Sequence, residues 1–130
     1  MNIRFKGFLR TCLMLLAAVT AAGCAQSSGG ANVDVSVDEA LRLWQNKEAV
    51  IIDVRTPGEY REGHIPDVFN IPLDELENRM GEIPKDKKVV LICRTGNRSA
   101  QGTKLLRSKG FNNVFNSTGG MSTWKGPVTK

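Results

Sequence analysis

Val89-Val90-Leu91-Ile92-Cys93-Arg94-Thr95-Gly96-Asn97-Arg98-Ser99 is the stretch on which the reading of this 130-residue chain turns. Four consecutive aliphatic residues suit a strand buried on both faces of a sheet. The run delivers a cysteine to the strand's carboxyl end. A polar loop with one glycine and two arginines follows, and Ser99 to Lys109 has a helical pattern, closed by Gly110 as a left-handed stop. In open α/β sheets, ligands collect at the carboxyl ends of strands. A loop curling into a helix N-terminus also aims several backbone N–H groups at one point. Those donors favour an anion, so the thiolate of Cys93 is expected to be stabilised and its pKa lowered. Arg94 and Arg98 add positive charge beside it. The expected site is a nucleophile activated by backbone geometry, without a partner base. Arg94, Thr95, Gly96, Asn97, Arg98 and Ser99 form the loop that would hold its substrate.

Outward from this stretch, short apolar runs alternate with helical patterns. Ser36 caps a helix in which Val37, Ala40, Leu41 and Trp44 share a face, with Asp38 and Glu39 in the first turn. Ala49-Val50-Ile51-Ile52-Asp53 reads as a second buried strand. Pro57 to Glu62 reads as a short helix with proline in its first turn, Val68-Phe69-Asn70-Ile71 as a strand, and Asp74 to Met80 as a short helix ending at Gly81. Asn113 to Asn116 reads as the last strand. Strand–helix alternation of this kind implies an α/β fold: a three-layer α/β/α sandwich around a mainly parallel sheet. One domain of about 100 residues suffices for it.

The first two dozen residues have another character. Arg4, Lys6 and Arg10 precede the uncharged run Thr11 to Ala22, which is shorter than the roughly 20 apolar residues of a membrane span. A basic start, an apolar stretch and small residues at the end make a signal peptide, expected over 1–23. Ala21-Ala22-Gly23-Cys24 resembles the lipobox of bacterial lipoproteins, with Ala21 where leucine is usual. That resemblance implies lipidation at Cys24 and a membrane anchor facing the periplasm. The absence of an acid after Cys24 points to the outer membrane. Cleavage after Ala25, giving a soluble periplasmic protein, is the alternative. Residues 24–32 read as a flexible spacer and 33–130 as the folded domain. The formal charge of +5 falls to +2 once the three leader cations are set aside, so the basic balance gives no argument for nucleic-acid binding. With Cys12 in the leader and Cys24 at the anchor, Cys93 is the only thiol expected in the domain, and no disulfide can form within it.

Three motifs in order resemble the rhodanese-like family. Cys93-Arg94-Thr95-Gly96-Asn97-Arg98-Ser99 is similar to that family's active-site loop. Asp53-Val54-Arg55-Thr56-Pro57-Gly58-Glu59-Tyr60-Arg61-Glu62-Gly63-His64-Ile65 resembles its amino-terminal signature, and Gly119-Gly120-Met121-Ser122-Thr123-Trp124 its closing one. Asn70-Ile71-Pro72-Leu73 fits as well, whereas Pro66-Asp67-Val68-Phe69 departs from the usual pattern at a turn. The resemblance spans about Val33 to Gly126. It implies a sulfurtransferase: Cys93 takes sulfur from a donor such as thiosulfate, holds it as a persulfide, and passes it to a thiol or to cyanide. The covalent persulfide replaces any cofactor, no metal is implied, and a monomer is expected.

Each side chain has a plainer reading beside the catalytic one. His64 could pair with Cys93 as in a hydrolase, but shaping a turn is the better reading. Asp53, Arg55 and Glu59 are expected to form a structural network behind the loop, with Arg55 near the active edge. Met121 and Trp124 suit either a pocket wall or a core cap, and Lys85, Lys87 and Lys88 a solvated turn. Related folds use cysteine loops for phosphate, which makes a phosphatase or arsenate reductase the rival enzyme. Cysteine phosphatases resemble C-x5-R, whereas Cys93 and Arg98 give C-x4-R, a tighter ring suited to sulfur. A non-catalytic sulfur carrier or sensor is the third reading.

Overall fold

The computed structural model describes residues 32–130. The expected signal peptide, Cys24 and nearly all of the spacer lie outside the described residues. The described chain runs β1 (Asp34–Ser36), α1 (Val37–Gln45), β2 (Ala49–Asp53), α2 (Pro57–Glu62), β3 (Phe69–Asn70), β4 (Lys88–Ile92), α3 (Asn97–Ser108) and β5 (Val114–Thr118), with short 3₁₀ turns at Leu73–Glu75, Met80–Glu82 and Gly120–Thr123. The five strands form one sheet in the order β1-β5-β4-β2-β3. Every pair is parallel, with Ile52 beside Leu91 and Leu91 beside Asn116 at its centre.

Strand alternation sorts the side chains into two cores. Val89, Leu91 and Cys93 point to one face, where they meet Leu106 of α3, Leu76 and Phe111. Val90 and Ile92 point to the other, against Val37, Ala40 and Leu43 of α1 and Tyr60 of α2. Burial on both faces explains why β2 and β4 read as unbroken apolar runs. The observed architecture is the expected three-layer α/β fold.

The 3₁₀ segment and β1 depart most from expectation, beside shifts at the ends of β3 and α3. The helix expected over Asp74 to Met80 is instead a pair of 3₁₀ turns. Its start has no capping side chain, since Pro72 stands there. Leu76 is the fully buried anchor of this segment, too little apolar contact to sustain an α-helix. Arg79 ties the two turns together by bonding Glu75 at 2.9 Å and Glu82 at 2.7 Å. The other departure is β1, a three-residue edge strand with no apolar run to announce it. It pairs with β5, which extends two residues beyond the expected Asn116.

Candidate active site

Cys93 follows β4 directly, at the carboxyl edge of the sheet. Helix α3 begins earlier than expected, at Asn97, with Gly96 as its N-cap in the left-handed region at φ 97°. A side chain at Gly96 would press to 3.2 Å from both Gly119 N and Ser117 O, so the turn is tied to glycine twice over. No capping side chain satisfies the first turn of α3. The cysteine sulfur takes that place instead. Gly96 N–H donates to Sγ at 3.1 Å, and the hydroxyl of Ser99 lies 3.3 Å from it. Burial pushes the Cys93 thiol up. The Ser99 hydroxyl and the backbone N–H groups of Ser99, Gly96 and Thr95 outweigh it and pull the thiol below its ordinary pKa. The sulfur thus sits among hydrogen-bond donors at the positive end of a helix. The residue is only 1% exposed, so its sulfur sits at the bottom of the loop.

The closing turn completes the cradle from below. Met121 N–H donates to Cys93 O at 2.8 Å and Ser122 N–H to Arg94 O at 2.9 Å. A Cβ at Gly120 would collide with the Cys93 carbonyl oxygen, which is why the second glycine of Gly119-Gly120 is needed. Met121 and Trp124 themselves pack against the α1/α2 core, and Trp124 meets Trp44 edge to face at 6.1 Å.

The charged network expected from Asp53, Arg55 and Glu59 divides into two. Asp53 is fully buried and pairs with Arg55 at 2.7 Å, and Arg55 also donates to Gly63 O at 2.7 Å. The side-chain amide of Asn70 donates to the carbonyls of Asp53 and Arg55, fixing the chain just after β2. Asn70 stands out in the sequence as the one polar residue of its expected strand, but nothing nearby names its partners. Glu59 belongs to a different assembly. It is the third residue of α2 and closes a capping box with Thr56. The same carboxylate accepts from Arg98 at 2.7 and 2.9 Å and from Arg94 at 3.2 Å. These bonds to Arg98, Thr56 and Arg94, against the opposing push of burial, hold Glu59 far below the usual carboxylate range. Arg94 and Arg98 were expected to add positive charge beside the thiol. Both are coupled to Glu59, so the trio carries one net positive charge. Arg98 is bound twice and is 31% exposed, whereas Arg94 has a single longer bond and is 58% exposed.

His64 stays out of this arrangement. Its Nδ1 lies 2.8 Å from Tyr60 O, its ring stacks on Tyr60 at 3.7 Å, and its main chain pairs with Thr129. These contacts place His64 in the turn that follows α2. Thr95 and Asn97 are exposed on the rim of the loop. Lys85 and Lys88 lie over the rings of Phe111 and Phe115, away from the cysteine loop.

Residues 36–127 match the rhodanese-like domain. A curated protein of Allochromatium vinosum named sulfurtransferase is 41% identical over 83 residues, which cover 64% of this chain and 78% of that protein. The crystal structure of a rhodanese-related protein from Thermoplasma volcanium superposes with a TM-score of 0.66 at 33% identity, over 74% of this chain and 96% of that one. The human single-domain sulfurtransferase superposes with a TM-score of 0.63 at 31% identity, over 73% of this chain and 98% of that one. With the domain match running through the Cys93 loop and both flanking motifs, the chain belongs to the rhodanese-like family.

Proposed function

We propose that this protein is a sulfurtransferase that carries sulfane sulfur on Cys93. The observation that supports it best is the sulfur's position as the anion acceptor of α3, 3.1 Å from Gly96 N and 3.3 Å from Ser99 Oγ. In the first step the Cys93 thiolate attacks the outer sulfur of thiosulfate. The sulfur–sulfur bond of the donor breaks, and sulfite leaves with its electron pair. Cys93 then holds a persulfide, whose negative outer sulfur remains near the loop's N–H groups. In the second step an acceptor thiolate attacks that outer sulfur and Cys93 departs as a thiolate, stabilised by the same donors. The donors that lower the thiol's pKa also make it a better leaving group, so one structure serves both halves of a ping-pong exchange. Arg94 is the cation best placed to meet a dianionic donor, since its hold on Glu59 is the weaker.

The test is the intact mass of the full chain after incubation with thiosulfate, with Cys93→Ser as the control for the chain's other cysteines. One added sulfur atom is expected in the parent protein, and its release to cyanide as thiocyanate. Hydrolysis of an aryl phosphate with no sulfur gained would replace this reading with the phosphatase one. A stable persulfide passed to no acceptor would replace it with a carrier.

A further inference from the structure

Among the described residues, Phe69 and Val128 are the exposed large apolar side chains. Phe69 lies on the edge strand β3. Val128 lies beside the cysteine loop, 54% exposed, in a cleft of about 370 Å³ shared with Arg55, Arg94, Thr95, Met121 and Ser122. The segment carrying it is not a loose end. Thr129 and His64 exchange two main-chain hydrogen bonds, at 2.8 and 2.9 Å. Trp124 Nε1 donates to Pro127 O at 3.1 Å. Val128 also lies against Gly63, where an added Cβ would stand 3.1 Å from Val128 Cγ1. Residues 126–130 therefore form a strap, clipped to the turn that His64 shapes.

Thr95 ties the cleft to the cysteine loop: it lines the cleft, and its backbone N–H favours the Cys93 thiolate. Its charge suits an anionic nucleophile. Arg94 is on its wall, the positive charge of Arg55 is balanced by Asp53, and the cleft's lining includes no carboxylate. The cleft on the other side of the loop is lined by Asp74 and by Arg98, which Glu59 already binds twice. An approaching thiolate is favoured on the first side and disfavoured on the second. A volume of about 370 Å³ also falls in the range of pockets that hold organic molecules, above the needs of a small inorganic ion.

We propose that Val128, fixed by the strap, is a specificity-determining residue that forms the apolar wall of the acceptor subsite and selects organic thiols over inorganic nucleophiles. This rests on the sulfurtransferase reading. The alkyl carbons of the acceptor lie against Val128 and Met121 while its thiolate attacks the outer sulfur of the Cys93 persulfide. The sulfur–sulfur bond breaks, its electron pair stays on the Cys93 sulfur, and the acceptor leaves as a persulfide.

The test compares two acceptors with the same attacking atom, hydrosulfide and 1-propanethiol, on the thiosulfate-loaded full chain. The quantity read is the ratio of their transfer rate constants in each variant, which cancels differences in loading and in thiol acidity. Val128→Ser should lower the propanethiol-to-hydrosulfide ratio by about threefold, because the propyl chain then has less apolar surface to cover. Val128→Ile should hold or raise it. Both variants keep the main-chain clip between Thr129 and His64, and circular dichroism checks the fold. Equal ratios in all three proteins, with sulfur transfer intact, would overturn the role of Val128 and leave the sulfurtransferase reading standing. Failure of Cys93 to gain sulfur from thiosulfate in the parent protein would overturn both.

Discussion

Asp53 holds Arg55 in the interior, and Glu59 holds Arg94 and Arg98 at the rim of the same loop edge. Both assemblies pair carboxylate with guanidinium at 2.7 Å, yet their surroundings give them different work. Asp53 also accepts from Arg55 main-chain N–H at 3.0 Å, so the inner pair fixes the backbone after β2. The outer assembly joins α2 to the cysteine loop across more than thirty residues of sequence and leaves Arg94 half free. A buried pair of this kind shapes the scaffold and is costly to break, because the survivor is left charged without a partner. A rim assembly trades little stability and sets how much charge a ligand meets.

The largest effect expected from breaking this contrast is at Asp53. Asp53→Asn leaves Arg55 buried against a neutral partner and should cost about 3–5 kcal/mol of stability, read by urea denaturation. Glu59→Gln should cost less, about 1–2 kcal/mol, because solvent reaches Arg98 and Arg94. It should also lower the KM for thiosulfate, since two arginines lose their internal counter-ion. The stability gap between the parent protein and Glu59→Gln carries a pH signature. The folded pKa of Glu59 is depressed, so its contribution is fully present above the unfolded carboxylate value of about 4.3. The gap should therefore hold at neutral pH and shrink as the pH falls below that value. A gap independent of pH would mean that the carboxylate's charge is not what stabilises the loop. Ser99→Ala touches neither assembly and has the smallest expected effect. It removes one hydroxyl donor to the sulfur and should slow alkylation of Cys93 by iodoacetamide at neutral pH about three- to tenfold.

The parts of this molecule legible in sequence were those whose cause is local. The aliphatic run before Cys93 dictates a strand, and the polar, glycine-containing loop after it leads into a helical pattern, so the sulfur's setting could be read from eleven consecutive residues. Ser36 as a helix cap was legible for the same reason, and its hydroxyl accepts from Glu39 N–H at 3.1 Å. What escaped was the work of distant partners. Nothing near Glu59 shows that Arg94 and Arg98 will converge on it. Nothing near Gly120 shows that the Cys93 carbonyl will occupy the space of its missing side chain. The segment from Asp74 to Met80 looked helical because its composition suits a helix, but three-dimensional packing gave it too little apolar surface to bury. Nothing near Val128 in sequence shows that the fold will set it beside Thr95.

The chemistry depends on the donors around Cys93 outweighing its burial. The direct measurement is a pH titration of thiolate absorbance in the ultraviolet, taken as the difference between the full chain and its Cys93→Ser variant. The expected midpoint lies below the ordinary cysteine value of about 8.5 and moves upward in Ser99→Ala. A midpoint at or above that value in the parent protein would show that burial prevails, and would contradict the activation of Cys93 by its loop.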